Sequence, residues 1–267
     1  MDRSLLKNII ILILLLTNGF LLASLVLRQS SAVDAQRQTE EQLTELFAAD
    51  GMTLDRSAFS NQTPPSALTL TRNTQLEREA AAFFLGSGVR QEDQGGGVYT
   101  YAGTAGVARF RANGSFEVAG SLAEGDVESF CRKFCKTFSY EPVTLELDAS
   151  GSGSGTAVCR YHDLPVFNAS VTFTVDHGTL LTVSGTLLSG EGAVQTAVQE
   201  PLSAAAALTA FQAARRESGA VVSAVTGTAL CYELQSTSAL TLTPAWRVSA
   251  DTADYYVNCA TGVVTSG

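Results

Sequence analysis

The chain has 267 residues and a formal charge of −9, with 17 basic against 26 acidic residues. That balance argues against nucleic acid and against adhesion to an anionic membrane surface. The length is enough for one substantial core or two smaller ones.

The first element is the uncharged stretch Ile9 to Leu27. Nineteen residues without a charge, at about 1.5 Å each, cross a hydrocarbon core of about 30 Å. Arg3 and Lys7 precede it, while Arg28 and Arg37 beyond it are diluted by Asp34, Glu40 and Glu41. The bias places residues 1–7 in the cytoplasm and the body outside, as a single-pass protein of the cell membrane. A cleaved signal peptide with its cut near Ser31, Ala32 and Ala35 is the competing reading. Its apolar region usually runs about 7–15 residues, so residues 8–28 read as an uncleaved anchor. Within it, Asn18 is an amide at mid-membrane depth, and Gly19 with Ala23 forms a small-xxx-small pair. Such residues let membrane helices associate, as a homo- or hetero-dimer or with another partner. Equally, Asn18 would bond its own helix or a local water, and Gly19 and Ala23 would be ordinary.

Residues 29–50 read as a juxtamembrane helix or stalk. From Asp34 to Ala49 the pattern is helical, with Leu43, Leu46 and Phe47 on one face and Gly51 as its stop. Pro64 and Pro65 break the chain, Leu68 to Thr71 is a short strand, and Thr74 to Leu85 is a helix with Leu76, Ala80, Phe83 and Phe84 inward. The glycine-rich run Gln94 to Gly97 follows a helix and precedes strands, which is the wrong context for a phosphate cradle. VYTYAG, VARFRA and SFEVAG then alternate as a meander, and Asn113-Gly114 predicts a two-residue type I′ hairpin. Ser121 with Glu124 makes a capping-box pattern for a helix running to about Phe138. Strands follow at Val143 to Leu147, then GSGSG (Gly151 to Gly155) as a flexible linker or hairpin tip. Ala157 to His162, Val166 to Val175 and Leu180 to Leu187 continue the sheet. Gly190 to Ala193 marks a seam.

Pro201 and Ser203 open an alanine-rich helix to about Glu217, with Leu208 and Phe211 inward and Arg215 and Arg216 near its C-terminus. Strands near Thr228 to Gln235, Pro244 to Ser249 and Tyr255 to Cys259 complete the pattern. Helix followed by antiparallel meander thus occurs three times, near 74–120, 122–187 and 203–260. The fold class is α+β, one N-terminal transmembrane helix followed by helix-plus-antiparallel-meander units. The expected lobes are 51–121 and 122–267.

No catalytic constellation stands out. Five cysteines are an odd, scattered set, and Cys131 with Cys135 lies on an apolar stripe with Val127, Phe130, Phe134 and Phe138, which suits buried hydrophobes. His177 beside Asp176 and Gly178 reads as a turn residue. His162 and Cys159 three apart on a strand would face opposite ways. Gly151 to Gly155 fits the letters of a nucleophile elbow without the helix that must follow it. Asp163 and Asp176 read as turn residues. No cofactor or metal site is indicated. Trp246 is expected to pack on the third helix, with Arg247 on the opposite sheet face, where a partner carboxylate could meet it.

The closing segment LTPAWRVSADTADYYVNCATGVV (Leu242 to Val264) resembles the last strands of PepSY-like domains, here over 197–267. LPVFNASVTFTVDHGTLLTVSG (Leu164 to Gly185) and the opening span with Leu-Thr-Asn-Gly-Phe (Leu16 to Phe20) resemble the YycI family. Those are regulators of an essential cell-wall two-component system in Gram-positive bacteria. The resemblance covers the anchor and Leu164 onward; between Thr39 and Ser139 it rests on element order. The five cysteines, the GSGSG insert and the short tail after Gly262 depart from the family pattern. It implies a membrane-anchored, extracytoplasmic protein without catalytic activity. It also implies partnership with a YycH-type protein and with the sensor histidine kinase that it tunes through transmembrane contacts, for which Asn18, Gly19 and Ala23 are the candidate residues in this anchor. An alternative function is a PepSY-type envelope module binding or inhibiting a secreted protease. A third is an envelope hydrolase with an unrecognised carboxylate pair.

Overall fold

The computed structural model describes residues 35–194, 200–236 and 239–267. The anchor expected at 8–28, with Asn18, Gly19 and Ala23, lies outside the described residues. Among those described, no helix is long and apolar enough to cross a membrane.

Helix α1 (35–49) leads into β1 (Thr53–Leu54), a 3-10 turn (Arg56–Ala58) and β2 (Leu68–Leu70). The first helix-plus-meander unit is α2 (Thr74–Leu85) with β3 (Arg90–Asp93), β4 (Val98–Gly103), β5 (Gly106–Arg111) and β6 (Ser115–Glu124). The second is α3 (Val127–Thr137) with β7 (Glu146–Leu147), β8 (Gly153–Tyr161), β9 (Leu164–Asp176) and β10 (Thr179–Thr186). After β11 (Gly192–Val194) comes the third, α4 (Ala204–Ser218) with β12 (Ala224–Ser236), β13 (Leu240–Ala250), β14 (Asp254–Asn258) and β15 (Val264–Ser266). The architecture is mixed α+β, with the three units strung into one largely antiparallel sheet. Its main path runs β11-β2-β13-β12-β9-β10-β6-β5-β4-β3.

Local chemistry sets the helix ends. Asn73 accepts the Gln75 and Leu76 amides at the start of α2, and Ser203 accepts the Ala206 amide at the start of α4. Gly219, at φ 69°, closes α4 in the left-handed region. The expected capping box is not formed. Ser121 and Glu124 belong to β6, and α3 starts later, capped by Asp126, whose carboxylate accepts the Ser129 amide at 3.1 Å. A carboxylate next to the helix start satisfies the orphan amides better than a hydroxyl still engaged in a strand.

The hairpin at Asn113-Gly114 forms, but with a different turn. Gly114 (φ 80°) is left-handed and Asn113 is not, so the loop has three residues, closed by the Gly114 amide on the Arg111 carbonyl. The Asn113 side chain instead accepts the Ser115 amide and hydroxyl. Paired positive φ angles occur at His177-Gly178 (47° and 72°) and His162-Asp163 (45° and 67°), which join the β9–β10 and β8–β9 hairpins. The strand expected at Val143 to Leu147 shrinks to Glu146–Leu147. A Cβ on Gly155 would stand 2.6 Å from the Thr144 carbonyl oxygen, so this segment closes on β8 only because part of GSGSG is strand.

Two hydrophobic clusters hold the body. The larger draws on both the first and second units, from Leu68 to Leu187, with Phe134 among Phe83, Phe84, Phe116, Phe138, Tyr140 and Phe173. The smaller joins Leu43, Phe47, Met52 and Ala58 to Leu208, Phe211, Trp246, Val248 and Val257 of the third unit. The first two units, on either side of 121/122, share one core. In the second half of α1, Leu43 and Phe47, on the face expected to be apolar, pack into the smaller cluster.

The long β12–β13 hairpin runs through both clusters. Leu230, Trp246 and Val248 serve the smaller, and Tyr232, Leu240 and Leu242 the larger. Its outer neighbour changes from β14 (beside 245–249) to β2 (beside 240–242), with Pro244 at the change. Proline has no amide to offer a ladder, so it fits where partners switch. Between β12 and β9 the pairing is parallel, Tyr232 with Val166. Asn168 extends it with its side chain, donating to the Leu234 carbonyl and accepting the Leu234 amide, both at 2.8 Å.

Candidate functional site

Two places concentrate chemistry, and both lie in the third unit. The first is the junction where α1 enters it. Phe47 is fully buried and its ring stacks on Phe211 at 6.4 Å. Asp50, at the end of α1, receives Arg216 through Nε at 2.6 Å and Nη2 at 2.9 Å, Arg215 at 3.0 Å, and the Gln212 amide. The Arg216 hydrogen bond is foremost in holding the Asp50 carboxyl below its ordinary 3.8, with the Arg216 and Arg215 charges adding to it against partial desolvation. Just beyond, β1 runs parallel to the start of β12, Thr53 opposite Ala224. Helix, carboxylate and strand thus fix the path of the chain from α1 into β1.

The second place is the face of β12, β13 and β14 turned away from α4. Strand alternation puts Trp246 inward, where it is fully buried and donates its indole N–H to the Leu202 carbonyl at 2.8 Å. Arg247 points outward in a row with Ala229 and Tyr256, its cross-strand neighbours. In the next row Cys231, Ala245 and Asn258 lie side by side, and beyond it Glu233 faces Thr243. Phe167 of β9 stacks on Tyr256 at 3.7 Å and 8°, a roof over this face. Beside the roof is a cavity of about 240 Å³ lined by residues that include Phe167, Glu233, Ala245, Tyr256, Asn258 and Thr265. Asn258 donates to Glu233 at 2.7 Å and accepts the Ala260 and Thr261 amides, which shapes the turn into β15. The expected carboxylate for Arg247 is not supplied by the described residues: its buried Nε–H has no partner.

The remaining chemistry-bearing residues are accounted for locally. All five cysteines are free and buried. Burial raises the thiols of Cys131, Cys159, Cys231 and Cys259 to about 12 and that of Cys135 to about 11. His162 and His177 occupy hairpin turns, as does Asp163, while Asp176 ends β9. At the tip of the second unit, Ser152 donates its hydroxyl to Asp176 at 2.8 Å, and Asp176 contacts His177 Nδ1 at 2.8 Å. The letters of a triad meet, but the serine is bonded to the carboxylate rather than to the imidazole, so no base stands where its proton would leave. Among the described residues no three His, Cys, Asp or Glu converge as a metal site would require.

Sequence reasoning missed two arrangements. Glu77 is buried on the inward face of α2 and holds Arg72 through two bonds of 2.7 and 2.9 Å, while Arg72 also reaches the Gly97 carbonyl and lies over the Tyr99 ring. The Phe167–Tyr256 roof was equally hidden, although the alternation of LPVFNAS and DYYVN does set both rings on outward positions.

No protein-family model matches the chain, and no curated protein matches it. Solved structures do. An uncharacterized protein from Eubacterium rectale is similar at 12% identity and a TM-score of 0.45, over 80% of this chain and 85% of that one. The YpeB C-terminal domain of Bacillus megaterium is similar at 12% identity and a TM-score of 0.37, over 73% of this chain and 99% of that one. At these scores the fold assignment rests on this chain's own strand pairing.

Proposed function

We propose that this chain is a membrane-anchored, extracytoplasmic regulator of the YycI type. It binds and tunes an essential cell-wall sensor histidine kinase together with a YycH-type partner, and it performs no catalysis itself. The observation that supports this most directly is the junction of α1 with the third unit. Ile9 to Leu27 ends seven residues before α1, and α1 is locked into the body by Phe47 and Asp50. A passive tether needs no such lock, whereas a regulator that relays a change between bilayer and body does. Coupling further requires that the regulator bind one kinase state better than the other, since equal affinity for both shifts nothing.

The test is co-capture of the kinase from membranes, with phosphorylation of its response regulator as the second readout. The full chain is compared with a version carrying a poly-Leu span at 9–27 and with Asn18→Leu/Gly19→Leu. Loss of both capture and regulation in the altered spans, with the body still folded, supports regulation through the anchor. Survival of both in the altered spans moves the kinase contact to the body. Failure of every version to capture a kinase removes the regulator reading and favours the protease-binding module.

A further inference from the structure

Among the described residues, Arg247 is the arginine with a buried guanidinium nitrogen left without a partner. The chain has more acidic than basic residues, so a carboxylate is easily found for a buried guanidinium. Arg72 and Arg215, with side chains 20% and 15% exposed, each lie on one. Arg247 is also partly buried, in the middle of the central strand β13, yet no hydrogen bond or ion pair joins its guanidinium to a described residue. Leaving a buried N–H of a charged group unpaired opposes folding. A group from outside the chain that paired with this guanidinium would relieve that cost.

We infer that the outer face of β12, β13 and β14 docks a partner polypeptide that brings a carboxylate to Arg247 and sets one side chain in the adjoining cavity. Three features select that occupant. Nε is covered, but the two Nη nitrogens are not, and they offer a planar fork that matches a carboxylate through two parallel bonds. The cavity, about 240 Å³, is smaller than the roughly 300–1,000 Å³ of sites that enclose a small-molecule ligand, but it accommodates an anchoring side chain. Its wall includes the Phe167–Tyr256 stack, a rigid aromatic surface that loses little entropy on contact. The face also has a direction. Glu233 lies on β12, four residues beyond the Ala229 that pairs with Arg247 and so about 13 Å away at strand rise, and an incoming carboxylate is drawn to the Arg247 end and repelled at the other. This docking face stands independently of the kinase reading, because it uses no residue of the anchor.

The test uses the full chain in nanodiscs of zwitterionic lipid and two fluorescein-labelled nonapeptide pools. Both pools have mixed apolar flanks; one fixes Glu at the centre and the other Gln. The expected result is saturable anisotropy with the Glu pool and at least roughly tenfold weaker binding of the Gln pool, as a charge-assisted pair requires. R247Q is expected to abolish that difference. R247M should unfold at a higher temperature than the parent, since it removes the unanswered charge and keeps the apolar stem; a purely structural arginine would give a lower one. Equal binding of the pools, no binding by either up to about 1 mM, or an R247Q that still prefers Glu overturns the proposal. So does displacement of the Glu pool by equimolar inorganic phosphate, which would make the face a general anion site. The comparison of pools on the unaltered chain stands even where a variant folds poorly.

Discussion

Phe47→Ala should separate the two clusters energetically. Phe47 is fully buried, stacked on Phe211 and flanked by Leu43 and Met52. Removing a buried phenylalanine ring typically costs about 3–5 kcal/mol, with the upper end reached where neighbours cannot collapse into the gap. Here they are held: Trp246 is pinned by its bond to the Leu202 carbonyl, and α1 by the clamp at Asp50. A loss of about 4 kcal/mol is a large part of the roughly 5–15 kcal/mol that stabilises an ordinary domain. The larger cluster contains no residue of α1 or α4, so the loss should fall on the smaller one. Trp246 is the single tryptophan and sits in the smaller cluster, which gives a selective probe. Thermal unfolding followed by tryptophan fluorescence should shift well below the transition followed by far-ultraviolet circular dichroism, which averages the whole body. In the parent the two should lie closer together. Coincident transitions in the variant, or a loss under about 1 kcal/mol, would show that α1 contributes little to this core and refute the reasoning.

Three other expectations follow from particular groups. Asp50 is held below its ordinary 3.8, so its contribution is present in full above that value and lost as pH falls through the lower, folded one. Protection of α1 from amide exchange should therefore fall in acid below about pH 3.8, and Asp50→Asn should remove that dependence while lowering protection at neutral pH. Glu77→Gln leaves the Arg72 charge in a site where the Glu77 side chain is 3% exposed, and should cost about 3–5 kcal/mol by denaturant titration, mostly in the larger cluster. The five thiols, buried and raised to about 11 or 12, should resist an aromatic disulfide reagent at pH 8 in the native protein. All should react in denaturant, and rapid native labelling of any one would mean that its cover opens.

Much of the local structure was legible because the signals were local. Thr74 to Leu85 matched α2 residue for residue, and Ser203, Leu208 and Phe211 took the capping and inward positions expected of them in α4. β3 was illegible: its residues Arg90-Gln91-Glu92-Asp93 are exposed along a sheet edge, and an edge strand with both faces wet carries no hydrophobic alternation. The sharing of one core by the first two units was illegible for a different reason. Which helix shares a core with which sheet depends on long-range strand order, and β12–β13 joins both clusters although its own pattern is uniform. At the candidate face, the opposite orientation of Trp246 and Arg247 followed from strand period alone. The ring of Phe167 over Tyr256 and the bond of Asn168 to Leu234 connect positions far apart in sequence, and nothing in either neighbourhood announces them.

The placement of Trp246 and Arg247 on adjacent positions of β13 ties the two candidate places together. The inner neighbour of Arg247 packs in the cluster that α1 completes, so a state with α1 detached changes the support beneath the docking face. Moving a two-state equilibrium from 1:99 to 99:1 takes about 5.5 kcal/mol, and the burial of Phe47 alone supplies about 3–5 kcal/mol of the docked state. The junction is thus of the right size to be read at the face. Linkage then imposes a symmetry. The factor by which α1 detachment weakens Glu-pool binding must equal the factor by which the bound pool suppresses detachment. Anisotropy on Phe47→Ala gives the first, and exchange rates of α1 amides with and without the peptide pool give the second. Binding by the Phe47→Ala protein at the parent's affinity, with α1 demonstrably released, would mean that β13 insulates its two faces and that α1 and the docking surface act separately.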